Sequence, residues 1–459
     1  MTLFDRPIGP EAYAVIRFGL GYPTLGAPVD AQGILDRLNG PDLVAERIPT
    51  LAFADTLRDA ATLRAEQKKL KKMGGDKADL KAARNAIRIA YRSALLTDLD
   101  RAARSDDPFR ERLQWFWANH FTAQSKSRYL QSGHAGYEAE AIRPHVAGRF
   151  ADLLKSAVTH PFMLVYLDQT SSVGPNSPRG VKSGRGLNEN LAREVLELHT
   201  LGVGAAYSQT DVTEFAELLT GLSFNYRKGA FFDAERAEPG QETVLGHGYG
   251  DDGPADLADI HAALDDLALR PETARFLSFK LARYFVADAP DADLVAHMVA
   301  AYQRSDGHLA DVYAAMLEHP AAWRDFGAKV KWPFELVASS FRAVGMGRDQ
   351  IEAQSAQRVL KHVQLGLQQM GQRYQSAPGP DGWPDEARAW VHPHGLAARI
   401  SWGMELARRF PGGAPNPRQF VRDALGDAAG SRLIWAAGVA ESRDEGVGVV
   451  LASAEFNRR

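Results

Sequence analysis

The stretch Ile87-Arg88-Ile89-Ala90-Tyr91-Arg92-Ser93-Ala94-Leu95 decides the fold class. Its apolar residues Ile87, Ala90, Tyr91, Ala94 and Leu95 recur at i, i+3, i+4, i+7 and i+8, a spacing that lines one face of a helix and not one face of a strand. The same period returns in Val212, Phe215, Ala216 and Leu219, and again in Leu277, Leu281, Tyr284 and Phe285. Start signals agree with it. Ser208 followed three residues later by Asp211 reads as a capping box, and Pro271-Glu272 as a first helical turn. The expected fold is therefore an all-α, multi-helix globular bundle. At most one small β-hairpin is expected, near residues 221–249, where Phe224, Tyr226, Phe231 and Phe232 surround Lys228-Gly229.

The 459 residues exceed what one hydrophobic core usually serves, and a 45% hydrophobic content is ample to fill two helical layers. A turn-rich loop, Ser376 to Trp390 with Pro378, Pro380, Gly382 and Pro384, is the best candidate boundary. It divides a main helical domain, 1–375, from a C-terminal helical portion, 393–459, expected to pack back on it. A formal charge of -3 provides no global field that would draw the chain to nucleic acid. No cysteine is present, which removes disulfides, thiolate metal sites and cysteine nucleophiles together. The opening residues Met1 to Arg6 do not read as a signal peptide, so cytoplasm is the default expectation, and no apolar run suits an integral membrane protein.

Between Arg58 and Arg92 lie eleven Lys/Arg and four Asp/Glu, split by Gly74-Gly75 into what should be an antiparallel helical hairpin. With no aromatic platform interleaved, it reads as a solvated face rather than a phosphate grip.

The densest polar cluster is Gly186 to Gly202. At about 100° per residue, Glu189, Asn190, Arg193, Glu194 and Glu197 share one arc of the helix, while Leu191, Val195, Leu198 and His199 take the other. Two readings stay open. Glu189, Arg193 and Glu197 make an i, i+4 ladder on a solvated face. Glu194, three residues before Glu197 and repelling it, instead suggests carboxylates turned inward to share a proton or to hold a divalent metal. Upstream, Asp168 is followed by a loop carrying Arg179, Lys182 and Arg185, which runs into Asn188 and Asn190 at the helix start. Three cations and free backbone N–H groups there would suit an anionic substrate. A third group, Trp115-Phe116-Trp117-Ala118-Asn119-His120-Phe121, reads as core packing, with His120 the best single histidine to test.

These residues carry a resemblance. Phe116-Trp117-Ala118-Asn119-His120-Phe121, Tyr166-Leu167-Asp168, Gly186 through Gly202, Thr243-Val244-Leu245-Gly246, Lys280 to Phe285 and Gly382-Trp383-Pro384 are similar to segments of the bacterial family catalogued as domain of unknown function 1800. The resemblance implies an all-helical protein. It also implies that many members are exported, and that a protein of the neighbouring domain of unknown function 1501 family, itself similar to sulfatases and phosphatases, is a partner by analogy. The chain departs from the family pattern at Gln169, Leu222 and Ala237.

Two function classes follow. In the first, a hydrolase-like enzyme acts on an anionic substrate. Glu194 and Glu197, with His120 or Asp168, serve as acid, base or metal ligands, and Arg179, Lys182, Arg185, Asn188, Asn190 and Arg193 hold the substrate. In the second, the polar helix is an internal network of a non-catalytic scaffold or binding module.

Overall fold

A computed structural model describes residues 7–23, 30–73, 77–127, 129–227, 229–353, 356–409 and 413–459. The expected Gly74-Gly75 turn, Lys228 and the opening stretch 1–6 lie outside the described residues. Helices run from end to end, as the 3.6-residue period requires. Those that position the site are α1 (Phe53–Met73), α2 (Lys77–Arg104), α3 (Pro108–His120), α4 (Asn190–Glu194), α5 (Gln209–Leu218), α6 (Leu257–Leu269), α7 (Pro271–Phe285), α8 (Pro333–Ala343), α9 (Ala356–Gln369), α10 (Pro393–Ala407) and α11 (Arg443–Ala452).

Their starts obey local chemistry. Prolines open α3, α7, α8 and α10, where a missing N–H costs nothing. The capping box of α5 is present: Ser208 Oγ accepts from Asp211 N–H at 3.1 Å, and Asp211 Oδ2 accepts from Ser208 N–H at 2.7 Å. The other Asp211 oxygen accepts from Leu245 N–H at 2.7 Å, so one carboxylate caps a helix and pins a turn.

The β structure is confined to the expected region but forms two hairpins instead of one. β1 (Leu222–Asn225) pairs antiparallel with β2 (Gly229–Phe232), with Leu222 opposite Phe232. β3 (Glu242–Val244) pairs with β4 (His247–Tyr249) across the two-residue turn Leu245-Gly246, both at positive φ. Three-residue strands leave too little alternation to register in a sequence pattern.

Two large apolar clusters fill the interior. One gathers Trp117, Phe121, Phe150, Phe215, Leu277 and Phe285. Trp117 is fully buried, as its apolar surroundings in the sequence suggested; its indole N–H donates to Tyr313 Oη at 2.7 Å, and that hydroxyl donates to Val146 O at 2.8 Å. The other cluster joins Val15, Leu95, Leu336 and Phe341 to Trp402, Leu406 and Val447, so the apolar surface of α10 and α11 meets that of α2 and α8.

A buried ionic clamp holds α3, α7 and α8 in register. Glu335 on α8 accepts from Tyr284 Oη at 2.6 Å, from Trp332 N–H at 3.0 Å and from Arg459 Nε at 3.0 Å, and it pairs with Arg112 of α3 at 3.1 Å. Arg112 and Arg459 draw its carboxyl down to about 2 against the opposing effect of burial.

Candidate functional site

The helix that carries the polar cluster is not regular. α4 ends at Glu194 and continues into a wide π turn, Val195–Thr200, where Leu201 N–H bonds to Leu196 O at 3.0 Å, five residues back. The extra residue in that turn alters the projected faces. Leu191 and Val195 are buried as expected, but Leu196 joins them and Leu198 is partly exposed, while His199 is turned fully inward.

On the outer face, the i, i+4 ladder forms. Arg193 lies 3.1 Å from Glu189 and 3.4 Å from Glu197, and Glu189 also accepts from Gln209 and Thr213 of α5. With side-chain exposures of 39%, 32% and 24% for Arg193, Glu189 and Glu197, each pair is worth about 0.5 kcal/mol. The carboxylate of Glu197 is thus already answered by Arg193.

Glu194 has a different environment. It is half-buried, and burial, then Glu197 and Asp381, raise its pKa against the opposing pull of Arg193. Asp381 belongs to the loop that carries Gly382-Trp383-Pro384, and Asn119 at the end of α3 docks that loop reciprocally. Asn119 Nδ2 donates to Trp383 O at 3.0 Å, and Trp383 N–H donates to Asn119 Oδ1 at 2.7 Å. Gly382 sits at φ +80°, and a Cβ there would stand 2.6 Å from Asn119 O. Only glycine allows this approach.

Below the loop lies Lys280 of α7. Its Nζ is 3.1 Å from His120 Nδ1, and no carboxylate of the described residues comes within ion-pairing distance. His120 Nε2 is 3.0 Å from His199 O. A carbonyl can only accept, so Nε2 carries the proton and Nδ1 accepts a hydrogen bond from the Lys280 amine. Burial, then the Lys280 charge and His199, push the His120 pKa far down; the buried His199 falls to about 3 for want of solvation and from the same charge. Both histidines are neutral, and neither ring nitrogen of His199 has a hydrogen-bond partner among the described residues. Burial also lowers Lys280, which Asp385 and Asp381 partly restore. Asp385 itself is raised to about 6 by burial, although Lys280 and Lys329 draw it down.

Other expected site residues fall around this centre unevenly. Asp168, in the left-handed region at φ 58°, forms an ion pair with Lys126 at 2.6 Å, and Lys126 also lies 5.6 Å from the ring centre of Tyr166, which faces Glu194. Asn188 bridges backbone: its amide donates to Asp168 O at 3.3 Å, and its Oδ1 accepts from Asn190 N–H at 3.0 Å. The expected anion loop is not assembled. Residues Pro178–Ser183 form a helix of their own, Arg179 pairs with Glu235 at 2.8 Å and Asp233 at 3.8 Å, and Lys182, Arg185 and Asn190 are exposed. The first free N–H of α4 is held by Asn188, and the Glu189 carboxylate stands at the same helix end, so the local field does not favour an anion there.

Three charged residues at this centre were not among the expected site residues: Lys280, Asp381 and Asp385. Lys280 had a signal, because it stands at i+3 from Leu277 and i−4 from Tyr284, inside an apolar stripe where a lysine is out of place. A further acidic group was also missed. Glu214 and Glu217 of α5 and Glu242 of β3 bring carboxylate oxygens within 4.8 Å of one another. Burial, then Glu217 and Glu214, push Glu242 up to about 8, so at neutral pH this cluster keeps a proton among its oxygens.

Fold and site together define a class: a helical protein in which segments far apart in sequence, from α3, the π turn after α4, α7 and the 376–390 loop, converge on the partly buried Lys280. The chain belongs to the family described as "Protein of unknown function (DUF1800)", whose profile matches residues 24–458. No curated protein and no solved structure matches it significantly. No helix among the described residues is long and apolar enough to cross a membrane.

Proposed function

We propose that the chain is a hydrolase-like enzyme acting on an anionic substrate, with Lys280 receiving the anionic group and Glu194 and Asp381 carrying the proton transfers. The observation that supports this reading is Lys280, an amine in a desolvated site whose nearest polar partner is an acceptor nitrogen of a neutral histidine rather than a carboxylate. A buried charge without a close counter-ion is costly, and a bound anion would relieve it. Glu194, raised by burial and by Glu197, suits a general acid; Asp381, exposed to solvent, suits the base that takes a proton from water. In the hydrolytic step the water oxygen bonds to the substrate centre as the bond to the leaving group breaks. Glu194 protonates the leaving group, and Asp381 accepts the water proton. His120 is a positioning residue, since one ring nitrogen meets Lys280 and the other is held by the His199 carbonyl. A divalent metal held by Glu194 and Glu197 has less support, because Arg193 already neutralises Glu197.

The test is hydrolysis of p-nitrophenyl phosphate and p-nitrophenyl sulfate by the whole chain, with Glu194→Gln and Lys280→Met beside it. Turnover lost in both variants at unchanged melting temperature is expected. Equal turnover in all three proteins, or none in the parent, refutes the assignment. A scaffold reading, with a protein of the domain of unknown function 1501 family as partner, draws support from the Glu189–Arg193–Glu197 ladder that ties α4 to α5. Silence of all substrates together with co-purification of such a partner would favour it.

A further inference from the structure

A separate cavity lies among α2, α3, α8 and the segment after α9, about 90 Å³ in volume and open to solvent. Its wall is aromatic. Trp115 and Phe334 meet edge to face at 5.0 Å between ring centres, and Phe334 continues to Tyr374 at 5.7 Å; Trp332 and Trp383 complete the lining. Two carboxylates face the same space, Asp98 from α2 and Glu138.

The charges around it do not balance. Asp98 accepts from Tyr374 Oη at 2.5 Å, and no cationic side chain of the described residues pairs with it. Arg101, whose charge acts on Asp98, is itself committed to Ile48 O at 2.7 and 3.0 Å. Glu138 accepts from Gln114 at 3.1 Å and lies 3.0 Å from His134 Nδ1. Glu335 also reaches the wall, but Arg112 and Arg459 answer it. Arg373 lies exposed at the rim, and no lysine lines the space. Arg143, the other buried cation close by, is held by Glu111 and Asp42. What is left is a cavity of π faces with two carboxylates at one side: Asp98, raised to about 7 by burial and then by Glu138, is ionised in mildly alkaline solution, and His134 is the one titratable base against Glu138 among the described lining residues.

From this geometry we infer that the cavity is a binding site for a small organic ammonium ion, its alkyl groups against Trp115, Phe334 and Tyr374 and its charge toward Asp98 and Glu138. Ring quadrupoles attract a cation over their faces, and a weakly hydrated ammonium loses less on entering than a metal ion does. The carboxylates supply discrimination against neutral molecules of the same shape. This goes beyond the reaction proposed above and uses none of Lys280, Glu194 or Asp381.

Calorimetric titration of the whole chain at mildly alkaline pH, with choline and with its neutral carbon isostere 3,3-dimethylbutan-1-ol, decides it. Choline should bind, the isostere at least about tenfold more weakly. Asp98→Asn should weaken choline by about tenfold while leaving the isostere unchanged. Glu138→Gln serves as the second variant, and Lys280→Met should leave choline binding intact. Equal binding of choline and its isostere overturns the inference, since it would mark a merely apolar hole. So would choline binding that survives in both carboxylate variants, or absence of binding by choline, tetramethylammonium and methylammonium up to about 10 mM.

Discussion

Replacing Glu335 by Gln keeps the shape of the clamp and removes its charge. Tyr284 and the Trp332 amide can still be satisfied, but Arg112 and Arg459 are left facing each other in a region that is 1–2% exposed. Removing one member of a buried ionic group typically costs about 3–5 kcal/mol. The drop of the Glu335 carboxyl from 4.5 to about 2 corresponds to about 3 kcal/mol, an independent route to a similar figure. Because the folded value is the lower one, this stabilisation is complete above the ordinary glutamate value of 4.5 and is lost as pH falls from there through about 2. Urea unfolding of both proteins should therefore show a gap of about 3 kcal/mol at neutral pH, with more than half of it gone by about pH 3. A gap below about 1 kcal/mol at neutral pH, or one that does not narrow with acid, refutes the reasoning.

Asn119→Ala removes both hydrogen bonds to the Trp383 backbone and should loosen the 376–390 loop by about 2 kcal/mol, read as faster amide exchange at Trp383 and limited proteolysis near Pro384; unchanged exchange would show that other contacts hold the loop. Glu242, raised to about 8, keeps a proton in the folded chain that the unfolded chain has released, so stability should fall as pH rises from the ordinary 4.5 toward about 8. Melting curves of Glu242→Gln should lack that fall, and parallel pH profiles for parent and variant would contradict it.

The helical architecture was legible because its signals are local. Ser208 and Asp211 cap α5 where their spacing says they should, and Pro271 opens α7. The ladder through Arg193 was legible for the same reason. The face of His199 was partly so: a uniform 100° rotation puts it inward, yet wrongly sends Leu198 with it, since nothing in residue types announces a π turn. The proposed site was half visible. Glu194 stood out because the ladder did not use it, whereas Asp381 and Asp385 look like any acids in a turn-rich loop. Their importance comes from Asn119 pulling that loop across Lys280, a contact between residues 264 apart in sequence. Arg179 read as a free cation because Glu235 and Asp233 lie more than fifty positions away.

The wide turn after Glu194 also imposes a kind of constraint that residue identity does not express. Deleting one residue from Val195–Thr200 would close the wide turn to regular i→i+4 bonding, and the segments on either side could keep their directions, because the turn houses one surplus residue. The faces inside the turn would not survive: the His199 carbonyl that meets His120 is presented by the wide turn itself. Length, and not only side-chain type, therefore sets which groups reach His120 there.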